Sequence, residues 1–359
     1  NFINDLTGWL EENPHLQKDV KKYVQNWIRD GLVDWDITRD ISWGVPIPLP
    51  EAKGKVFYGW FDNHLAYISS SLKFLNDKGI DSKKFWNSAD IYHFIGKDIV
   101  YHHYLFLPAM RIGIKKEYKL PDYIPTRGHL MLQAKKISKS RNWYIGLKEF
   151  LSLYPADYLR FYLTSITPHS QDDLNFDWEE FAAKINSELI GNLGNFVNRA
   201  LGFTQKTLGG MVPGGDKFDS VDQQAIDKIK QLSTDVGSLL EQNHLDRALK
   251  KILEFSAHFN QYFQQKEPWK GGAGTNNCIY VSANAVRSIA IALLPFIPDS
   301  AEKIWNQLGM KEKLSEQSWD SISEFDLKPN HKLGAVSPLF KKVEESDIKK
   351  HKAKLGFES

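Results

Sequence analysis

Ile91-Tyr92-His93-Phe94-Ile95-Gly96-Lys97-Asp98 is an apolar run of strand length that breaks at a glycine. An apolar stretch of helical character, Ile99 to Met110, follows it. Strand, glycine turn and helix in that order is the repeating rhythm of a parallel α/β sheet. Upstream, Lys55-Val56-Phe57-Tyr58-Gly59-Trp60-Phe61 reads as another strand and Ala66 to Leu75 as a helix. Downstream, Tyr123-Ile124-Pro125 and Gly128-His129-Leu130-Met131-Leu132 suggest further strands. Residues 1 to about 33 space their apolar side chains (Leu6, Leu10, Val20, Val24) as one or two amphipathic helices, with Gly31 as a stop. Trp43 to Pro50 carries alternating prolines and cannot be regular helix.

Beyond about residue 145 strand signals largely disappear, and helical periodicities run to about residue 310, punctuated by Gly209-Gly210, Gly214-Gly215 and Gly271-Gly272-Ala273-Gly274. The expected fold class is therefore α/β followed by all-α, without internal repeats. At 359 residues, 42% hydrophobic and 25% charged, the chain has the balance of a globular protein with two or three domains. No apolar stretch approaches the roughly 20 residues that span a bilayer. The single Cys278 excludes an internal disulfide and a cysteine-rich zinc site, which favours a cytoplasmic location. A net charge of +2 neither marks nor excludes a nucleic-acid binder. The chain opens on Asn1 and enters a helical pattern directly, as a piece of a longer protein or one component of a split protein would.

Lys136-Ile137-Ser138-Lys139-Ser140 places two ammonium groups three residues apart, with hydroxyls beside them. Mobile ammonium groups can offset the charge that builds on a polyphosphate during phosphoryl or adenylyl transfer. Taken alone, such a pair is more often a solvated basic turn. In this chain it lies after a sheet and before a helix bundle, and there it resembles the lysine signature loop of class I aminoacyl-tRNA synthetases. Trp35-Asp36-Ile37-Thr38-Arg39-Asp40, Val56 to Asp62, His93 to Tyr101, and Glu267-Pro268-Trp269 resemble the methionyl branch of that family, in its order and across essentially the whole chain.

That resemblance implies the second half of a Rossmann-type catalytic domain (1–125, including the end of a connective region) and a stem-contact region with the lysine loop (126–178). An anticodon-binding helix bundle (179–335) and a C-terminal docking peptide or helix (336–359) would follow. It implies that Lys136 and Lys139 act on ATP phosphates and the pyrophosphate leaving group, joined by Ser138, with Gly96 and Asp98 at the ribose. Trp60, Tyr67, Ile99 and His103 would line the methionine pocket, and Arg39 would fix charge near the amino acid. Aromatic walls suit a polarizable thioether. Outside the family context, Trp60 and Ile99 read as core packing, and His102 and His103 as satisfied core histidines. The implied co-reactants are ATP with Mg²⁺; zinc is not expected on these residues.

Asn195 and Arg199 stand at i and i+4 and share a helix face. With Trp269 they resemble the residues that read and stack anticodon bases of the methionine tRNA, tRNA(Met), a mode natural to single-stranded RNA. Individually they read as an exposed helix face and a core anchor. Trp178, Trp305 and Trp319 read as packing residues. Two departures stand out. Asn63-His64 replaces the Ala-Pro expected beside the pocket wall, and the family's His-x-Gly-His signature and zinc-bearing insertion are absent. The implied function is methionine activation and transfer to tRNA(Met) by a parent enzyme. The alternatives are a tRNA-anticodon-binding module or split-enzyme component without catalysis of its own, its N-terminal half being a separate chain, and a paralogue activating another amino acid.

Overall fold

A computed structural model of the chain describes residues 1–115, 118–272 and 274–356. The chain divides into two compact units: Asn1–His129 with Ser170–Asp172, and Leu130–His169 with the chain from Asp173 onward.

In the first unit, α1 (Ile3–Glu12) and α2 (Lys18–Asp30) are the expected amphipathic pair. Leu6, Leu10, Val20 and Val24 are buried against Val100, Tyr104, Leu105 and Ile124. Gly31 caps α2 at φ +99°, a conformation that a Cβ would strain. The aromatic run at 55–61 is a strand only in part. β1 (Thr38–Arg39) pairs antiparallel with β2 (Val56–Phe57), and at Gly59 the chain turns helical. Once the two-residue partner strand ends, further extended backbone would lack hydrogen bonds, and a helix supplies them locally. α3 (Gly59–Asn63), α4 (Leu65–Asp77) and α5 (Ser82–Ser88) follow.

The stretch that suggested a parallel sheet forms one in miniature. β3 (Ile95–Gly96) precedes α6 (Leu107–Gly113) and pairs parallel with β4 (Thr126–Arg127), and a Tyr92–Tyr123 bridge extends the pairing. The segment expected as one helix from Ile99 to Met110 has three parts. A 3₁₀ turn (Lys97–Ile99) and a π turn (His102–Phe106) come before α6. Pro108 explains the break: it offers no N–H to the carbonyl four residues back and crowds it, so the preceding turn widens.

The second unit opens with β5 (Leu130–Leu132) and β6 (Lys135–Lys136), an antiparallel hairpin. After α7 (Leu147–Leu153) and α8 (Ala156–Ile166), β7 (Leu174–Phe176) returns to pair parallel with β5, a strand the sequence reading did not anticipate. Its three residues are too few for a periodic signal. From α9 (Trp178–Lys184) the chain continues through wide π turns and α10 (Asn195–Val197) to α11 (Phe203–Thr207).

The bundle proper is α12 (Ser220–Glu241), α13 (Leu245–Lys266), α14 (Gly274–Leu293) and α15 (Pro298–Leu308). α14 is buried on every side, which marks it as the central helix. Buried Asp222 ties three helices together: it accepts from Tyr262 (2.7 Å) and Asn277 (3.3 Å) and pairs with Lys266 (2.8 Å). Trp178 and Trp305 are buried and Trp319 packs against the same core, as expected of packing residues. α16 (Glu345–Ala353) stacks His351 on Trp178 at 4.4 Å. Residues 357–359 at the end of the expected docking segment, and Ala273 of the glycine loop, lie outside the described residues. No described helix is long and apolar enough to cross a membrane.

Candidate functional site

Three clusters bear on function, one in the first unit and two in the second. In the first unit, α3 carries Trp60, α4 carries Tyr67, and the turns after β3 carry Ile99 and His103. The His103 Nδ1 lies 3.0 Å from the Ile99 carbonyl, and its Nε2 lies 3.1 Å from the Tyr67 hydroxyl. A carbonyl only accepts, so Nδ1 bears the proton; burial holds the ring's pKa below its ordinary value and the ring neutral. Nε2 is therefore a lone pair, and Tyr67 donates to it. His103 is a satisfied, fully buried histidine whose orientation fixes the tyrosine.

Trp60 joins this group through two further rings, at 4.6 Å from His102 and 5.8 Å from His64. His64 is 1% exposed, whereas its neighbour Asn63 is exposed, so of the two departures from the family pattern only the histidine enters the interior. Arg39 stands elsewhere. Its guanidinium lies 4.0 Å over Tyr58 and donates to the Asp36 and Thr38 carbonyls. The Trp35 ring, 5.5 Å from Tyr58 and 5.4 Å from His102, lies between it and the histidines. His102, read as a possible satisfied core histidine, has no hydrogen-bond partner on either ring nitrogen.

Gly96 and Asp98 sit at the carboxyl end of β3, where open α/β sheets bind ligands. A Cβ at Gly96 would lie 2.5 Å from the Asp98 carboxylate, so a larger residue there would displace that side chain. His129 Nε2 is 3.6 Å from the same carboxylate. The sequence reading did not single His129 out, and its place five residues after a buried Ile124 carries no signal.

The lysine loop begins the second cluster. Ser138 and Trp143 exchange two backbone hydrogen bonds of 2.8 Å, and Asn142 turns the chain at φ +51°. Trp143 anchors the hairpin: its indole N–H donates to the Leu132 carbonyl (2.8 Å), and Lys135 lies 4.5 Å over its ring. Lys136 and Lys139 are exposed and form no ion pair among the described residues, while the Ser138 and Ser140 hydroxyls lie 3.2 Å apart. Two unneutralised ammonium groups on an anchored turn have the charge to receive a polyanion.

In the third cluster the structure brings Asn195, Arg199 and Trp269 to one patch, joined by α13. Arg199 donates to the Gln264 side chain (2.8 Å) and to the Asn260 carbonyl (3.4 Å), and Asn195 donates to the Asn260 side chain (3.4 Å). Arg199 lies 5.3 Å over Phe263, which neighbours Trp269 at 6.4 Å. Trp269 is 46% exposed in a 3₁₀ turn after Pro268, so it presents an aromatic face rather than anchoring a core. Asn260 and Gln264 belong to this patch and were missed, although their i, i+4 spacing repeats that of Asn195 and Arg199. No group of three or more His, Cys, Asp or Glu arranged to hold a metal occurs among the described residues.

Residues 1–201 match the family described as class I tRNA synthetases (M), and residues 222–355 match the anticodon-binding domain of tRNA ligases. A methionine–tRNA ligase of Methanopyrus kandleri is 42% identical over all of this chain and 53% of its own length. One of Thermococcus kodakarensis is 38% identical over 97% of this chain and 49% of its own. The Mycobacterium tuberculosis methionyl-tRNA synthetase bound by methionyl-adenylate aligns with a TM-score of 0.84 at 25% identity, over 95% of this chain and 67% of that one. The chain spans about half the length of the curated relatives it matches.

Proposed function

Because the chain belongs to the class I tRNA synthetases (M), with a class I catalytic fold followed by an anticodon-binding helical domain, we propose that it forms part of a methionine–tRNA ligase. In this reading the methionine carboxylate attacks the α-phosphate of ATP, giving methionyl-adenylate and pyrophosphate, and the methionyl group then passes to the 3′ end of tRNA(Met). Residues 1–125 hold the amino acid and ribose, 126–178 carry the lysine loop, 179–335 bind the anticodon, and 336–359 dock at the end of the chain.

The residues divide the work by chemistry. Trp60, Tyr67, Ile99 and His103 enclose the thioether side chain, with Tyr67 held in place by the neutral His103. Gly96 leaves room for the ribose and Asp98 accepts from its hydroxyls. Lys136 and Lys139, with Ser138 between them, stabilise the charge that collects on the departing pyrophosphate, an effect worth several kcal/mol where donors are preorganised. Mg²⁺ bound to the ATP phosphates supplies further positive charge there. Arg39, held over Tyr58, contributes positive potential near the amino acid rather than a direct contact. The enzyme would work in the cytoplasm, completed by the half its relatives carry outside the matched region, whether joined or as a separate chain.

The observation that carries this reading is the Tyr67–His103–Ile99 hydrogen-bond chain beside Trp60, in a chain whose helical unit also collects Asn195, Arg199 and Trp269 on one patch. The RNA half is tested by titrating the chain with tRNA(Met). Trp269→Ala is expected to weaken binding about tenfold to a hundredfold, the worth of one base–aromatic stack. Arg199→Ala should weaken it to a comparable degree. Unchanged affinity in both variants would refute the anticodon assignment.

A further inference from the structure

Four histidines share one aromatic cluster in the first unit. His64 lies 5.6 Å from His102 and 5.4 Å from His103, and His93 lies 5.5 Å from His103. Only His103 has both ring nitrogens paired. His64 Nε2, His93 Nε2 and both nitrogens of His102 are buried without a partner. Arg111, 1% exposed, donates one bond to the Lys119 carbonyl and leaves Nε and Nη2 unpaired. Buried polar groups without partners are rare and mark places where a ligand or water completes the set.

These groups stand where the proposed amino-acid site is. His102 and His64 flank Trp60, and His64 faces Tyr67 at 6.5 Å. Both imidazoles therefore border the Trp60 ring, and His64 also borders Tyr67 and His103. Burial holds both rings below their ordinary pKa, against the Asp98 carboxylate that acts in the opposite sense on His102, so each is neutral and has an N–H to offer a ligand. No carboxylate pairs with Arg111 among the described residues, and its field favours the negative end of a ligand dipole. A thioether sulfur is a weak acceptor. A sulfoxide has the same chain length and places a strongly accepting oxygen at the same point.

Resting on the reading of this cluster as the amino-acid site, we propose that His64 and His102 are specificity-determining residues that admit methionine sulfoxide to it alongside methionine. Asn63, exposed at the end of α3, takes no part.

The test is ATP–pyrophosphate exchange by the complete enzyme with L-methionine and with L-methionine sulfoxide, reported as the ratio of the two kcat/KM values. The wild type should use the sulfoxide within about a hundredfold of methionine, the gap that a polar addition leaves when the site does not exclude it. The variant His64→Leu with His102→Phe should widen that gap by about tenfold or more, one hydrogen bond's discrimination. Because the readout is a ratio, a general loss of activity cancels. Should the variant fold poorly, wild-type competition by the sulfoxide against methionine decides the same question. Exchange with methionine but none with sulfoxide, or a ratio unmoved by the double substitution, overturns the inference. Absence of exchange with either amino acid overturns the amino-acid-site reading beneath it, and the inference with it.

Discussion

Tyr67 and His103, in the proposed amino-acid site, are ordered by one proton. Since Nδ1 of His103 is committed to the Ile99 carbonyl, Tyr67 is the donor in their bond. Tyr67→Phe leaves a buried lone pair unpaired at a cost of roughly 1–3 kcal/mol. We expect kcat/KM for methionine in pyrophosphate exchange to fall about tenfold, with the KM for ATP little changed. The neighbouring histidines set a pH limit. His64 and His93 are pushed down to about 3, first by burial and then by His103 and Arg111 respectively. An unfolded histidine titrates near 6.5. Between those values the unfolded chain binds more protons, so this contribution to stability is complete above about pH 6.5 and is lost as pH falls toward 3. Thermal unfolding should shift downward between pH 7 and pH 5, and less steeply in His64→Leu; a flat profile would contradict the burial account. The sequence made Trp60, Tyr67, Ile99 and His103 readable as a set through ordered motifs. It could not reveal that Arg39 is held by Tyr58, or that His102 lacks partners, because both follow from ring placement across four separate segments.

At the scale of elements, the lysine loop works as a hairpin pinned by Trp143 rather than as a free turn. The paired Ser138–Trp143 backbone and the indole bond to Leu132 hold Lys136 and Lys139 on one anchored turn. Trp143→Ala keeps both lysines but releases the turn, so kcat for exchange should drop while methionine affinity measured by equilibrium binding is retained. If kcat is unchanged, the anchor is irrelevant to catalysis. Lys139→Ala should slow adenylate formation by about a hundredfold or more, the scale of a lost preorganised donor. Long helices were legible: α12, α13 and α14 each run 20 residues or more, and their apolar period is strong. Short strands were not. β7 has three residues, and β2 ends where its partner ends, so neither offers a period to read. The break before α6 was written in Pro108, whose missing N–H widens the turn before it.

The residues proposed for the amino acid and ribose lie in the first unit, and the lysine hairpin and the proposed anticodon patch lie in the second. The first unit's parallel pair β3–β4 has no third strand among the described residues, and Phe85, Tyr92 and Phe94 beside it are exposed. Such an edge with apolar flanks calls for further sheet to cover it. The relatives, about twice as long, have the chain to supply it. Catalysis is therefore expected to need that remaining half, whereas RNA recognition, resting on a bundle with its own core, is not. The most direct measurement is methionine-dependent ATP–pyrophosphate exchange, first on this chain and then with the N-terminal half of the enzyme added. Exchange that appears on addition of that half, and fails with Lys139→Ala, is the expected result. A folded, fully assembled protein that exchanges no pyrophosphate with methionine would contradict the assignment as a methionine-activating enzyme.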